Sequence, residues 1–437
     1  MNETWQRVAD VVADWFLRRL PPREAIAERR ELRALGPAER SEIARRCQAI
    51  VAQQRRLEFA VRGAAGFADL APHRRATALV MAHLVDTKEL LAATATRFLA
   101  PFAPGVDLAP MLDAGARMAA VADPDQQFAI RHSMPDWLAA RFRSELGADA
   151  EGLAAALAAP PPRTIRANTL RIASRDELQR TLAAASVPVR ATAHAPHGLH
   201  VDGDADLFAT AAYAAGMFEQ QDEGSQLAAL ATAVVPGGTV LDVCAGSGGK
   251  TLALAAALRN RGEVLATDVH EGRLEALRQR ARRAGAHNVR ALPVGEQQWS
   301  EAVAAFAARA DRILLDAPCS GVGSWRRHPE ARWSLDEGDL EALRRTQDAL
   351  LDRAAAALRP GARLVYATCS LFPSENEARV AALLQRRPGL AIVRLAEILG
   401  GAVARPIADA TGTYLALRPD RHGCDGFFAA VLRLQRS

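Results

Sequence analysis

The chain has 437 residues, of which 49% are hydrophobic and 24% charged, with a formal net charge of +5. This length accommodates about two or three domains that each bury a core, and the composition excludes a chain disordered throughout. No charge-free apolar run reaches the ~18 residues of a membrane span, and Glu3, Asp10 and Asp14 interrupt the N-terminal stretch where a signal core would lie, so a cytoplasmic protein is expected. Five scattered cysteines, Cys47, Cys244, Cys319, Cys369 and Cys424, fit neither a disulfide framework nor a zinc-ligand spacing. No metal is expected, and any chemistry they perform is as thiols. The small basic excess suits an anionic partner such as nucleic acid. It is carried almost wholly by arginine: only Lys88 and Lys250 are lysines. A lysine retained in such a chain marks a place where a compact ammonium is wanted.

Residues 1–147 read as helical. Val8, Val11, Val12, Trp15 and Phe16 fall on one face at helical spacing, and further segments follow around Glu39–Arg62 and Arg74–Leu99. Arginines crowd this part, which suits either an RNA-facing surface or a solvated bundle. The prolines of Ala158–Pro162 mark a boundary. A small strand, helix and strand unit is expected over 163–216. From Met217 to the end, strands at Thr239–Val243, Glu263–Thr267, Val289–Leu292, Arg312–Leu315 and Arg363–Ala367 alternate with helices beginning near Gly249, Glu271, Glu296 and Asp339. This α/β alternation implies a parallel sheet covered on both faces, with ligands bound beyond the carboxyl ends of its strands.

The first of these strands ends in LDVCAGSGGKT, residues 241–251, a glycine-rich turn opening a helix. Gly246, Gly248 and Gly249 permit a tight turn and a close approach by a ligand. Two readings compete. The Gly249-Lys250-Thr251 ending and RILLDAP resemble a P-loop NTPase, but that loop requires a glycine where Cys244 stands. The other reading is a nucleoside site of the kind used by S-adenosylmethionine enzymes, which wants an acidic residue at the end of the second strand. Asp268 is there, and this reading is preferred.

The fourth and fifth strands run into LLDAPCSG and YATCS, which bring Asp316, Cys319 and Cys369 to the same sheet edge. A thiol beside a methyl donor suits pyrimidine chemistry. Carbon 5 of cytosine or uracil is a weak nucleophile until a thiolate adds to carbon 6; it then accepts a methyl group, and loss of the carbon 5 proton expels the thiol. Asp316 is suited to hydrogen-bond the polar edge of the ring, and the second thiol to assist elimination.

DVCAGSGGKT, LLDAPCSG, YATCS followed by PSENE, and DGFF (Asp425–Phe428) together resemble the RsmB/NSUN family of S-adenosylmethionine-dependent RNA cytosine-5 methyltransferases. HSMPDWL, IRANTL, FEQQDEGSQ and RRHPEARW resemble it too, so the likeness covers about residues 130–434. The resemblance implies a class I, Rossmann-like methyltransferase domain over 217–437, a small α/β RNA-binding subdomain over 163–216 and a helical NusB-like RNA-binding domain over 1–147. It makes Cys369 the nucleophile and Cys319 the residue that aids product release, with Asp316 and Lys250 beside them. It gives the loop Cys244, Ala245, Gly246, Ser247, Gly248, Gly249 and Lys250 to the methionine part of S-adenosylmethionine, Asp268 to the ribose, and Asp316 to the meeting point of cofactor and base. Arg326, Arg327, His328 and Trp333 are candidates for RNA contact. Two departures stand out: Gly246-Ser247 replaces the usual Ala-Pro, and ALPVGEQQW at the third strand end offers no Asp for adenine. The helical N-terminal part, with a chain that ends soon after DGFF, favours 16S rRNA over tRNA. A non-catalytic RNA-binding factor with a degenerate domain remains an alternative beside the NTPase.

Overall fold

The computed structural model describes residues 3–61, 67, 70–296 and 298–435; Arg62, at the end of one expected helix, and Gln297, in the stretch expected to lack an adenine contact, lie outside them. The chain forms two compact units, residues 1–158 with 325–337, and residues 159–324 with 338–437.

Regular structure in the first unit is helical among the described residues. Helix Glu3–Arg18 buries Val8, Val11, Val12 and Trp15 completely, as its spacing predicts, and the buried Trp15 indole donates to Gln54 Oε1 at 3.0 Å. Phe16, expected on the same face, is only half-buried and lies under the Arg75 guanidinium, 4.8 Å from its ring centre. Many arginines of this unit face carboxylates. Arg18 pairs with Glu28, Arg29 with Asp14, Arg46 with Glu42 and Glu89, Arg55 with Asp136 and Arg56 with Asp86. Much of the expected basic surface is therefore locally compensated. The segment 325–337 completes this unit. Trp325 is buried with the Arg332 guanidinium 5.7 Å from its ring, Arg332 donates to the His132 carbonyl at 3.1 Å, and the Trp333 indole donates to the Val51 carbonyl at 3.0 Å.

The second unit holds two sheets. Strands β1 (Arg163–Ala167), β2 (Val189–Ala191), β3 (Gly198–Val201) and β4 (Phe218–Gln220) form an antiparallel sheet in the order β2-β3-β1-β4. Helix Arg175–Ala184, capped by Ser174 Oγ accepting from Glu177 N, contributes Leu178 and Leu182 to a core shared with Ile165, Leu199 and Phe218.

The larger sheet contains β5 (Thr239–Asp242), β6 (Glu263–Asp268), β7 (Val289–Pro293), β8 (Arg312–Asp316), β9 (Arg363–Thr368), β10 (Leu390–Val393), β11 (Leu415–Leu417) and β12 (Phe427–Leu434). Its order is β10-β12-β9-β8-β5-β6-β7, with β11 on β12. The five strands expected from the sequence run parallel, and β12 enters antiparallel beside β9. Their apolar residues divide by alternation: Val240, Val264, Leu314 and Val365 enter one core, while Leu241, Leu265, Ile313, Leu315 and Tyr366 enter the other. The helix expected near Glu296 begins at Glu301 instead, because Ser300 Oγ accepts from Val303 N and makes the N-cap. Strand order reverses between β5 and β8, which opens a crevice at their carboxyl ends.

Candidate active site

The turn after β5 is built for close approach. Ala245 N donates to Thr267 O and Gly248 N to Ala245 O, both at 2.9 Å, while Gly246 and Gly248 adopt φ of +54° and +84°. At Gly248 a β-carbon would come within 2.0 Å of Leu277 Cδ1, whereas at Gly246 it would meet nothing within 4 Å. Glycine is thus needed at 248 for packing as well as backbone, and the loop presents open space at 246. Gly248→Ala is expected to cost about 1–3 kcal/mol from left-handed strain and overpacking, read as a lower urea midpoint at unchanged slope. An unchanged midpoint would contradict this loop path.

Behind the turn, Thr251 Oγ1 donates to Asp242 Oδ2 at 2.7 Å, and burial pushes the Asp242 carboxyl up to about 7. Asp268, at the end of β6 and 6% exposed, accepts Gly246 N on Oδ2 at 2.8 Å and His270 N on Oδ1 at 2.9 Å. Each carboxylate oxygen has a second acceptor position, so Asp268 steadies the loop and still has capacity for ligand hydroxyls. The Cys244 thiol is pushed well up by burial and by the charges of Asp316, Asp242 and Asp268, which leaves it inert as a nucleophile.

At the ends of β8 and β9, Cys319 Sγ and Cys369 Sγ lie 3.5 Å apart, and neither is in a disulfide. The hydrogen bond from Cys319 holds Cys369 below the usual thiol range, opposed by burial and Asp316 and aided by Lys250. Cys319 is raised well above its ordinary value by that same bond, by burial and by the charges of Cys369 and Glu375. Lys250 Nζ donates to Asp316 Oδ2 at 2.7 Å and stands 4.9 Å from the centre of the Phe427 ring. Burial lowers its pKa but Asp316 outweighs that, so the ammonium persists. The lysine singled out by an arginine-biased composition is therefore a buried cation held between a carboxylate and an aromatic face. Its ammonium is paired with Asp316.

The structure brings together the glycine loop, Asp268, Asp316, Lys250, Cys319 and Cys369. Arg326, Arg327 and His328 belong to the first unit: the arginines are half-buried, and His328 is exposed with Nδ1 3.5 Å from Glu330 Oε1. Trp333 directs its indole N–H to the Val51 carbonyl, a packing role within that unit. Sequence reasoning assigned nothing to Phe427, Ser320, Ser370, Gln347 or Glu375. The signal available was the serine after each cysteine and the acidic run PSENE. Among the described residues no His, Cys, Asp or Glu cluster is arranged to hold a metal, and no helix is long and apolar enough to cross a membrane.

The chain is similar to known proteins. Residues 229–433 match the family model described as 16S rRNA methyltransferase RsmB/F, and residues 134–207 match the ferredoxin-like domain of RsmF/B-like methyltransferases. A probable ribosomal RNA small subunit methyltransferase B from Synechocystis is 32% identical over 306 residues, which are 69% of this chain and 67% of that protein. The crystal structure of PH0851 covers 99% of both chains at 25% identity with a TM-score of 0.77. That of a methyltransferase homologue from Pyrococcus horikoshii covers 71% of this chain and 99% of its own, at 29% identity and a TM-score of 0.60. Fold and site together are those of an S-adenosylmethionine-dependent methyltransferase. The chain belongs to the RsmB/F family of 16S rRNA methyltransferases.

Proposed function

We propose that this protein methylates carbon 5 of a cytosine in 16S rRNA, with Cys369 as nucleophile and Cys319 as the residue that releases the product. The observation that carries this reading is the pair of sulfurs 3.5 Å apart beside the Lys250–Asp316 pair. Cys369 thiolate bonds to carbon 6, carbon 5 becomes nucleophilic and takes the methyl group, and water then removes the carbon 5 proton, so that the C–H electron pair re-forms the ring double bond and expels Cys369 as a thiolate, a departure that Cys319 assists by hydrogen-bonding the leaving sulfur. Asp316, paired with Lys250, accepts from the exocyclic amine of the cytosine. S-adenosylmethionine, when bound, supplies an electrophilic methyl group. The residues present fit it: the open side of Gly246 and the remaining acceptor capacity of Asp268 suit a methionine chain and a ribose. Cys244 to Lys250 would hold the former and Asp268 the latter. The target base must be unpaired or flipped out, since carbon 6 is attacked from above the ring.

The same reading makes the helical part an RNA-binding domain over 1–147, joined through a small α/β subdomain over 163–216 to a methyltransferase domain over 217–437, and places the enzyme in the cytoplasm. It gives Arg326, Arg327 and His328 to RNA, through phosphate pairing and stacking. Relatives named for the small ribosomal subunit support 16S rRNA as substrate.

The decisive assay is transfer of labelled methyl from S-adenosylmethionine to 16S rRNA from a strain lacking the protein, with the modified base mapped. Absence of transfer to free rRNA and to small-subunit particles alike would refute the reading. For the cofactor, Asp268→Ala is expected to weaken S-adenosylmethionine binding by roughly 10- to 100-fold, the worth of one charge-assisted hydrogen bond, in a calorimetric titration. An unaltered Kd would remove Asp268 from the site.

A further inference from the structure

Glu375 lies in the turn after β9 and is completely buried. Its Oε1 accepts from Ser320 N at 2.9 Å and Gln347 Nε2 at 3.0 Å; its Oε2 accepts from Ser320 Oγ and Ser370 Oγ, both at 2.5 Å. Ser320 directly follows Cys319, and Ser370 directly follows Cys369. Gln347 also donates to the Pro318 carbonyl at 2.9 Å, which ties the residue before Cys319 to the same centre. The carboxylate is itself fixed: Tyr366 donates its hydroxyl proton to the Glu375 carbonyl at 2.5 Å, and Asn376 Nδ2 donates to the Ser370 carbonyl at 3.0 Å.

Four neutral donors from three separate segments converge on this one buried side chain, and the two serines among them directly follow the two cysteines. We propose that Glu375 is a positioning residue: by spanning both cysteine turns it holds them in register and keeps the Cys319 and Cys369 sulfurs within reach of each other. One carboxylate bonded to both turns fixes their separation, and the sulfurs beside those serines lie 3.5 Å apart.

This inference rests on the two-thiol reading of the reaction, and its first readout needs neither RNA nor cofactor. The full-length protein is alkylated with iodoacetamide from about pH 6 to about pH 9, and modification of each cysteine is followed by peptide mass spectrometry. In the unaltered protein Cys369 is expected to react at least roughly tenfold faster than Cys319. Glu375→Ala removes the joint and is expected to cut that preference to about threefold or less and, in a methyl-transfer assay, to lower kcat by about 10- to 100-fold with little change in KM for S-adenosylmethionine. Glu375→Gln keeps shape and hydrogen-bonding capacity and is expected to restore both. Preserved selectivity or a preserved kcat in Glu375→Ala overturns the proposal. If Glu375→Ala does not fold, Ser320→Ala and Ser370→Ala each remove one arm of the joint, and full selectivity in both overturns it equally. Selectivity lost in Glu375→Ala, in a protein that methylates no RNA, would leave this proposal standing and refute the proposed function.

Discussion

Cys369→Ala is expected to lower methyl transfer by about 10⁴-fold or more, while S-adenosylmethionine still binds with near-native affinity. The loss is large because the thiolate supplies the bond that makes carbon 5 reactive, and no neighbouring group can replace it. Cys319 is protonated and pushed well above its ordinary pKa, and the Cys244 thiol is pushed up by burial and by the charges of nearby carboxylates. A single-turnover assay with labelled cofactor, paired with calorimetry, separates chemistry from binding. Substantial residual turnover, within about tenfold of the unaltered enzyme, would displace Cys369 from the centre of the reaction.

Cys319→Ala is expected to give the opposite signature: a protein–RNA adduct that survives denaturing electrophoresis and builds up with time. Cys369 still attacks carbon 6, but the group that assists expulsion of the Cys369 sulfur is gone, so the covalent species persists. The substitution also removes the S–H donor that holds the Cys369 thiol down. A smaller fraction of Cys369 is then thiolate at neutral pH, so adduct formation in this variant should need a higher pH than attack in the unaltered enzyme. An adduct in Cys369→Ala and none in Cys319→Ala would reverse the assignment of the two sulfurs.

The central parallel strands β5, β6, β8 and β9 were legible because they are covered on both faces, so each carries a short run of largely apolar residues that stops at the sheet edge. The sheet edge was legible for the same reason: it is where those runs stop, and the chemistry-bearing residues stand at the stops. The far edge was not. Strands β10 and β11 are short, and β12 follows a motif that reads as a signature rather than as the start of a strand. Glu375 was hidden because its meaning is non-local. An acidic residue in PSENE looks like an exposed turn until Ser320 and Gln347 are brought to it. The pairing of the first unit's arginines was hidden for a similar reason, since a sequence counts cations but does not show which carboxylate each one faces.

The segment 325–337 carries a consequence for biogenesis. Because Trp325, Arg332 and Trp333 complete the helical unit, that unit remains unfinished until a portion encoded far downstream has been synthesised. On the ribosome, the early helices must wait through the making of four strands of the large sheet, with the Val51 carbonyl lacking its indole donor. A truncation at the proline-rich boundary would therefore yield an incomplete body, and maturation of the two halves of the polypeptide is interleaved in time.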